Sequence, residues 1–193
     1  MAETTRAWAQ TLHGRAPLVG EPARHLSREE LERAFAGFDP VLESERASLQ
    51  AIVIRRPDGF REQPTAAELS RTGGLVGDRW ATGKADPGDQ VSMMNVDVAA
   101  RLANGQSIGL FGDNLFTDLD LRETALPEGA ELRIGEAVVR VSATPHVPCD
   151  RFRARFGHPA FVFAAATPRI RGVYLTVVAG GAIAVGDAVH RLG

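Results

Sequence analysis

The chain has 193 residues, of which 44% are hydrophobic and 24% charged, enough for one substantial core and an appendage in an ordinary globular protein. A formal net charge of −2 gives no overall pull toward nucleic acid or an anionic membrane surface, so neither is expected as a partner. One cysteine cannot form an internal disulfide, Met1 to Gly20 has no apolar run resembling a signal peptide, and the longest uncharged apolar run, Val173 to Val185, is glycine-interrupted and short; a cytoplasmic location is the expectation.

Residues 1 to about 25 show no period and read as a loosely ordered lead-in. At Leu26-Ser27-Arg28-Glu29-Glu30-Leu31 the signals for a helix start agree. Ser27 and Glu30 form a capping box and Leu26 with Leu31 a hydrophobic staple. Leu31, Ala34, Phe35 and Phe38 then recur at helical spacing up to Asp39-Pro40, so residues 1–46 are expected to be an extension carrying one short amphipathic helix, and 47–193 the main domain.

From Leu49 the texture changes to short β-prone segments cut by Gly, Pro and Asp turns, the pattern of a small barrel or sandwich. Leu49 to Arg56 is a strand stopped by Pro57-Asp58-Gly59. Gly73 to Arg79 is a glycine-rich loop without a P-loop or dinucleotide signature, although Arg79 and Lys84 after it suit an anion. Gln90 to Met94 reads as a strand, and Asn95 caps a helix closed by Asn104-Gly105. Leu115 to Leu121 alternates like a half-buried strand with Asp118 and Asp120 solvated on its other face. Glu131 to Ile134 and Ala137 to Ser142 form a hairpin around Gly135-Glu136, and Phe161 to Ala166 is apolar and ambiguous. Strands follow at Val173 to Val178, Ile183 to Val185, and through Val189 to Leu192. With few helical crossovers, the sheet is expected to be largely antiparallel.

The chemistry concentrates at Thr144-Pro145-His146-Val147-Pro148-Cys149-Asp150-Arg151-Phe152. Asp150 reads as the N-cap of a helix with Phe152 and Phe156 on one face and Gly157 past its end. That places Cys149 at a helix N-terminus near Arg151 and His146, surroundings that favour thiolate, the form that acts as nucleophile and soft metal ligand. The bland alternative is an inert thiol acting as a small hydrophobe. No H-E-x-x-H or C-x-x-C exists, and His146 with Cys149 alone would be an incomplete zinc site. Arg79, Lys84, Arg151, Arg169 and Arg171 make sense together if the thiol faces an anionic cofactor or substrate, since guanidinium grips phosphate in bidentate fashion.

Several stretches together resemble the MOSC domain, the family named for the C-terminal part of molybdenum cofactor sulfurase. They are Gly73-Gly74-Leu75-Val76-Gly77-Asp78-Arg79, Gly112-Asp113-Asn114-Leu115, Leu126-Pro127-Glu128-Gly129-Ala130-Glu131-Leu132-Arg133-Ile134-Gly135-Glu136-Ala137, Pro148-Cys149, and Arg171-Gly172-Val173-Tyr174 through Gly180-Gly181 to Gly186-Asp187. The likeness runs from about Leu49 to Leu192. It implies a mainly β, barrel-like fold (MOSC or pyruvate-kinase-barrel-like) with a few short helices. It also implies one of two roles for Cys149. One is a molybdenum ligand in a molybdopterin-dependent oxidoreductase that reduces N-hydroxylated compounds with electrons from a separate reductase. The other is a metal-free carrier of a persulfide received from a pyridoxal-phosphate cysteine desulfurase. Cofactor contacts would fall on Arg79, Lys84, Asn114, His146, Arg151, Arg169 and Arg171. Two departures stand out: Trp80-Ala81-Thr82 follows Gly-Asp-Arg where many members have a histidine and glycines, and Asp113 replaces a common glutamate.

Overall fold

A computed structural model describes residues 12–39, 47–83 and 86–193. Its centre is a seven-stranded sheet built from β2 (Leu49–Ile52), β7 (Val91–Asn95), β8 (Leu115–Thr117), β9 (Glu131–Ile134), β10 (Ala137–Val141), β11 (Val173–Ala179) and β13 (Val189–Arg191). The order is β13-β9-β10-β11-β7-β8-β2, and all pairs are antiparallel except β7 with β8. The exception follows from the crossover between them, which holds α2 (Val96–Ala103), because a parallel pair needs a long connection. Ser48 bridges Ala188, and Val189 donates its backbone N–H to the Ala47 carbonyl, so the first and last strands meet and the sheet is nearly a closed barrel.

Two cores lie on the two faces of that wall. Leu49, Ile52, Met93, Leu115, Leu132, Val139, Leu175 and Val189 fill the barrel. Outside it, Ala51, Met94 and Phe116 meet α1 (Arg28–Phe35), α2, α3 (Asp150–Phe156) and α4 (His158–Ala166). β7 and β8 are therefore buried on both faces, and their sequences do not alternate. This explains a correction at Leu115 to Leu121, where the strand stops at Thr117. Asp118 is no solvated carboxylate: it accepts from the Ser48 N–H at 2.6 Å and from the Gln50 amide. Asp120 is buried and paired with Arg122 at 2.7 Å.

Two further sheets complete the body. β1 (Gly14–Arg15), β4 (Phe60–Glu62) and β3 (Ile54–Arg55) form one, and β12 (Gly181–Ala184), β5 (Ala66–Ser70) and β6 (Gly74–Leu75) the other. The expected strand from Leu49 to Arg56 is thus broken at Val53 and shared between two sheets.

The helix boundaries follow local chemistry. Ser27 and Glu30 form the full capping box of α1. That helix ends at Phe35, ahead of Asp39-Pro40, because Gly37 takes a left-handed φ of 67°. Pro40 lies outside the described residues. Asn95 caps α2 by accepting from Asp97 and Val98, and Asn104 and Gly105 close it with φ of 47° and 86°. The ambiguous run from Phe161 is the interior of α4.

Residues 12–25 are largely exposed but anchored by hydrogen bonds, in contrast to a loose lead-in. Gly20 donates to the Ala154 carbonyl, Glu21 to Gln106, and Pro17 accepts from the Arg155 guanidinium, so this segment straps α3. Backbone pairing of this kind leaves no hydrophobic period to read.

Candidate functional site

Cys149 is exposed at the start of α3. The N-cap is Cys149 itself, with no side-chain cap bond, and Asp150 is the first helical residue. Asp150 pairs instead with Arg153 at 3.0 Å and is 87% exposed, so its charge points along the helix surface. The opposite face of α3 buries Phe152 and Phe156, which pack against Phe111, the Phe111 and Phe156 rings stacked at 4.1 Å. Buried aromatics fix the helix, and the fixed helix holds the thiol at the surface.

Arginines crowd this end of α3. Arg151 and Arg155 are four residues apart and share a helical face. Burial and the charges of Arg55 and Arg151 push Arg79 below its ordinary pKa, while Asp78 and Cys149 act the other way. Burial and Arg151 likewise push Arg155 down, with Cys149 opposing. Cys149, Arg79, Arg151 and Arg155 are thus within electrostatic reach of one another. Arg61 on β4 belongs to the same group. It is only 2% exposed, and burial together with Arg79, Arg155 and Arg55 brings it down to about 10.

None of these four arginines pairs with a carboxylate among the described residues. The Arg61 side chain reaches only the carbonyls of Gly59 and Phe60, at 3.3 Å, and that of Arg155 only Pro17 and Leu110. The buried Arg61 Nε and Gln63 Nε2 have no partner among the described residues. Buried charges in proteins are normally paired, and Arg61 and Arg155, the two buried members of the group, have no carboxylate partner among the described residues, which suits the cluster to an anion.

Two other arginines are paired with buried carboxylates, although Arg171 Nε has no partner among the described residues. Arg55 holds Asp78 in a bidentate pair at 2.8 and 2.9 Å. Burial alone would raise Asp78, but Arg55 and the N–H groups of Trp80 and Arg55 outweigh it and keep the carboxylate below its usual range. Arg171 donates to Asp113 at 2.9 Å and lies over the rings of Phe152 and Phe111, 4.9 and 5.3 Å from their centroids. It therefore braces the thiol helix from beneath.

His146 sits in this buried layer, 3.3 Å from Arg171 and 3.5 Å from Asp113, its ring tilted at 35° against Tyr174 with centroids 4.2 Å apart. Burial is the main cause that lowers His146 to about 4, with Arg171 and Arg55 adding to it and Asp113 opposing, so the imidazole is neutral near pH 7. It lines a pocket of about 280 Å³ with Thr144, Glu123, Glu128 and Arg169. Gly172, with φ of 81°, makes the close approach behind it possible: a Cβ there would lie 1.9 Å from the Met93 carbonyl oxygen.

Of the residues singled out in the sequence, the structure brings Arg79 and Arg151 to Cys149 and places His146 and Arg171 in the layer below. Asn114 is fully buried and fully used, accepting from Ser92 and donating to Val53 and Asp78, which leaves no group to offer a cofactor. Arg169 lines the pockets and makes no hydrogen bond or ion pair to the thiol cluster among the described residues. Lys84 lies outside the described residues. Arg61 and Arg155 escaped the sequence reading: Arg61 because nothing in Phe60-Arg61-Glu62 marks it as buried, Arg155 although its spacing from Arg151 was there to see. Among the described residues, no three His, Cys, Asp or Glu side chains come together as a metal cage, and no helix is long and apolar enough to cross a membrane.

No curated protein sequence matches. Among solved structures, YuaD from Bacillus subtilis is similar over 74% of this chain and 93% of its own, at 19% identity and a TM-score of 0.57. YiiM from Geobacillus stearothermophilus is similar over 76% of this chain and 75% of its own, at 16% identity and a TM-score of 0.53. At such identities the likeness establishes the fold. The family model for the MOSC domain matches residues 89–190, which is more than half of the chain and includes Cys149 with its helix, and the chain belongs to the MOSC domain family.

Proposed function

We propose that this MOSC-domain protein binds the molybdenum cofactor, with Cys149 as the one protein ligand to the metal and the unpaired arginines holding the cofactor's phosphate. The observation that carries the reading is the group of Arg79, Arg151 and Arg155 around an exposed thiol, with Arg61 next to Arg79 and Arg155, and no carboxylate paired with any of the four among the described residues. The donor set fits. With no cage of three ligating side chains among the described residues, a metal held at Cys149 has to bring its remaining ligands along, as a pterin cofactor does. The buried Arg61 Nε, unpartnered among the described residues, is a donor suited to a phosphate oxygen.

When bound, the cofactor supplies two-electron chemistry, and the activity we propose is reduction of an N-hydroxylated compound with electrons from a separate reductase. The chain's own contributions are binding and orientation. Arg171 and Phe152 fix α3 and hence the sulfur, and the four arginines set the charge of the site.

A second reading is favoured by one observation: Cys149 is exposed and lines neither of the cavities described here, which leaves it open to a partner protein. As a metal-free sulfur carrier, its thiolate would accept a sulfur as persulfide from a pyridoxal-phosphate desulfurase. Metal analysis of protein purified from molybdate-replete cells decides between them. The cofactor reading expects molybdenum in the wild type and none in Cys149→Ser. The carrier reading expects no metal and the gain of one sulfur mass on incubation with a desulfurase and cysteine. Absence of both, with Cys149 inert to a thiol reagent, would leave a binding module.

A further inference from the structure

Arg169 combines three unusual features. Its φ of 61° makes it one of two non-glycine residues in the left-handed region among the described residues, and the other, Asn104, is a residue type that tolerates it as a helix terminator. Its Nη1 is buried without a partner, and its side chain forms no hydrogen bond or ion pair among the described residues. With Thr167 and Pro168 it also forms a wall shared by two cavities. A strained backbone and an unpaired charge at one pocket wall persist when the position serves a ligand.

One of those cavities, about 230 Å³, is lined by Phe35, Phe38, Val98, Leu121, Phe163 and Arg169. Phe35 stands between the other two rings, 5.8 Å from Phe38 and 5.1 Å from Phe163. The space exceeds the roughly 150 Å³ that admits benzene in an apolar protein cavity. The carboxylate in its lining, Asp120, is already held by two donors of Arg122, at 3.0 and 2.7 Å. Arg122 also pairs with Asp39 at 2.7 Å, so the charged groups of this lining are ion-paired among the described residues except Arg169. The cavity on the other side of Arg169 has Glu123 and Glu128 in its lining, which repel an anion.

We propose that the Phe35, Phe38 and Phe163 cavity is a binding site, separate from Cys149, for a small monocarboxylate with an aromatic or short aliphatic body. The body packs against the phenylalanines and the carboxylate pairs with the Arg169 guanidinium.

Titration calorimetry of the full chain with phenylacetate and with 2-phenylethanol, its uncharged counterpart of similar size, tests this. Phenylacetate is expected to bind at least about tenfold tighter, the usual worth of a charge-assisted hydrogen bond. Arg169→Asn should fold, since asparagine tolerates a left-handed φ, and should bind the two compounds equally weakly. Cys149→Ser should bind phenylacetate as the wild type does. Equal affinity of the wild type for acid and alcohol, no binding of phenylacetate at millimolar concentration, undiminished binding by Arg169→Asn, or loss of binding in Cys149→Ser would each overturn the proposal. The comparison of acid with alcohol decides even if Arg169→Asn fails to fold.

Discussion

Replacing Arg61 by methionine is expected to stabilise the ligand-free protein and to remove its response to phosphate. Arg61 is 2% exposed, has no carboxylate partner among the described residues and leaves its Nε unsatisfied. Burial and the neighbouring Arg79, Arg155 and Arg55 bring its pKa down to about 10. A base with a folded pKa below its unfolded value is bound by its proton more weakly in the native state. Stability therefore rises with pH between about 10 and the unfolded value, and at every lower pH the charged side chain opposes folding. The gap corresponds to about 3 kcal/mol. Methionine has similar reach and no charge. After allowing for two long bonds to backbone carbonyls, a gain of about 1 to 3 kcal/mol is expected, or roughly 2 to 10 °C in Tm for a chain of this size. Urea and thermal unfolding at pH 7, with and without inorganic phosphate at constant ionic strength, provide the assay. Phosphate should raise the wild-type midpoint by mass action on the native state and leave Arg61→Met unmoved. Destabilisation of Arg61→Met by more than about 1 kcal/mol, or an equal phosphate shift in both proteins, would refute the reasoning.

Other outcomes follow from the buried layer. His146 has a folded pKa of about 4, below its ordinary unfolded value, so its contribution is fully present above about pH 6.5 and is lost as pH falls toward 4. Urea midpoints at pH 7 and 5 should differ less in His146→Phe than in the wild type, the full effect being about 3 kcal/mol. Asp78→Asn leaves the Arg55 charge largely buried without its partner and should cost about 3 to 5 kcal/mol by equilibrium unfolding. Gly172→Ala pushes a Cβ against the Met93 carbonyl at a positive φ and should give little soluble folded protein.

What the sequence disclosed, and what it hid, divides by physical cause. Local chemistry was legible: the Ser27 and Glu30 box, the Asn95 cap with Asn104-Gly105 beyond the helix, and the hairpin around Gly135 are short-range devices whose residues are adjacent in the chain. The barrel class was legible in the spacing of strands and turns and in the family resemblance. The wall between the two cores was not, because β7, β8 and the break at Val53 are buried on both faces and carry no alternation. At the site, Cys149, Arg79 and Arg151 could be picked out as chemically suited. Sequence could not separate unpaired arginines from those consumed by Asp78 and Asp113, since pairing depends on partners 23 and 58 residues away. Arg61 stayed hidden for the same reason. Its neighbours in the chain are ordinary, and only the fold buries it beside Arg79 and Arg155.

The central claim, that Cys149 and the unpaired arginines together hold one anionic cofactor, is tested most directly by loading purified protein with molybdenum cofactor and measuring the molybdenum and pterin that remain after gel filtration. Both should be retained in equal amounts by the wild type, both should be lost from Cys149→Ser, and both should be strongly reduced in Arg61→Met. Retention of cofactor by Cys149→Ser and Arg61→Met at the wild-type level would contradict it.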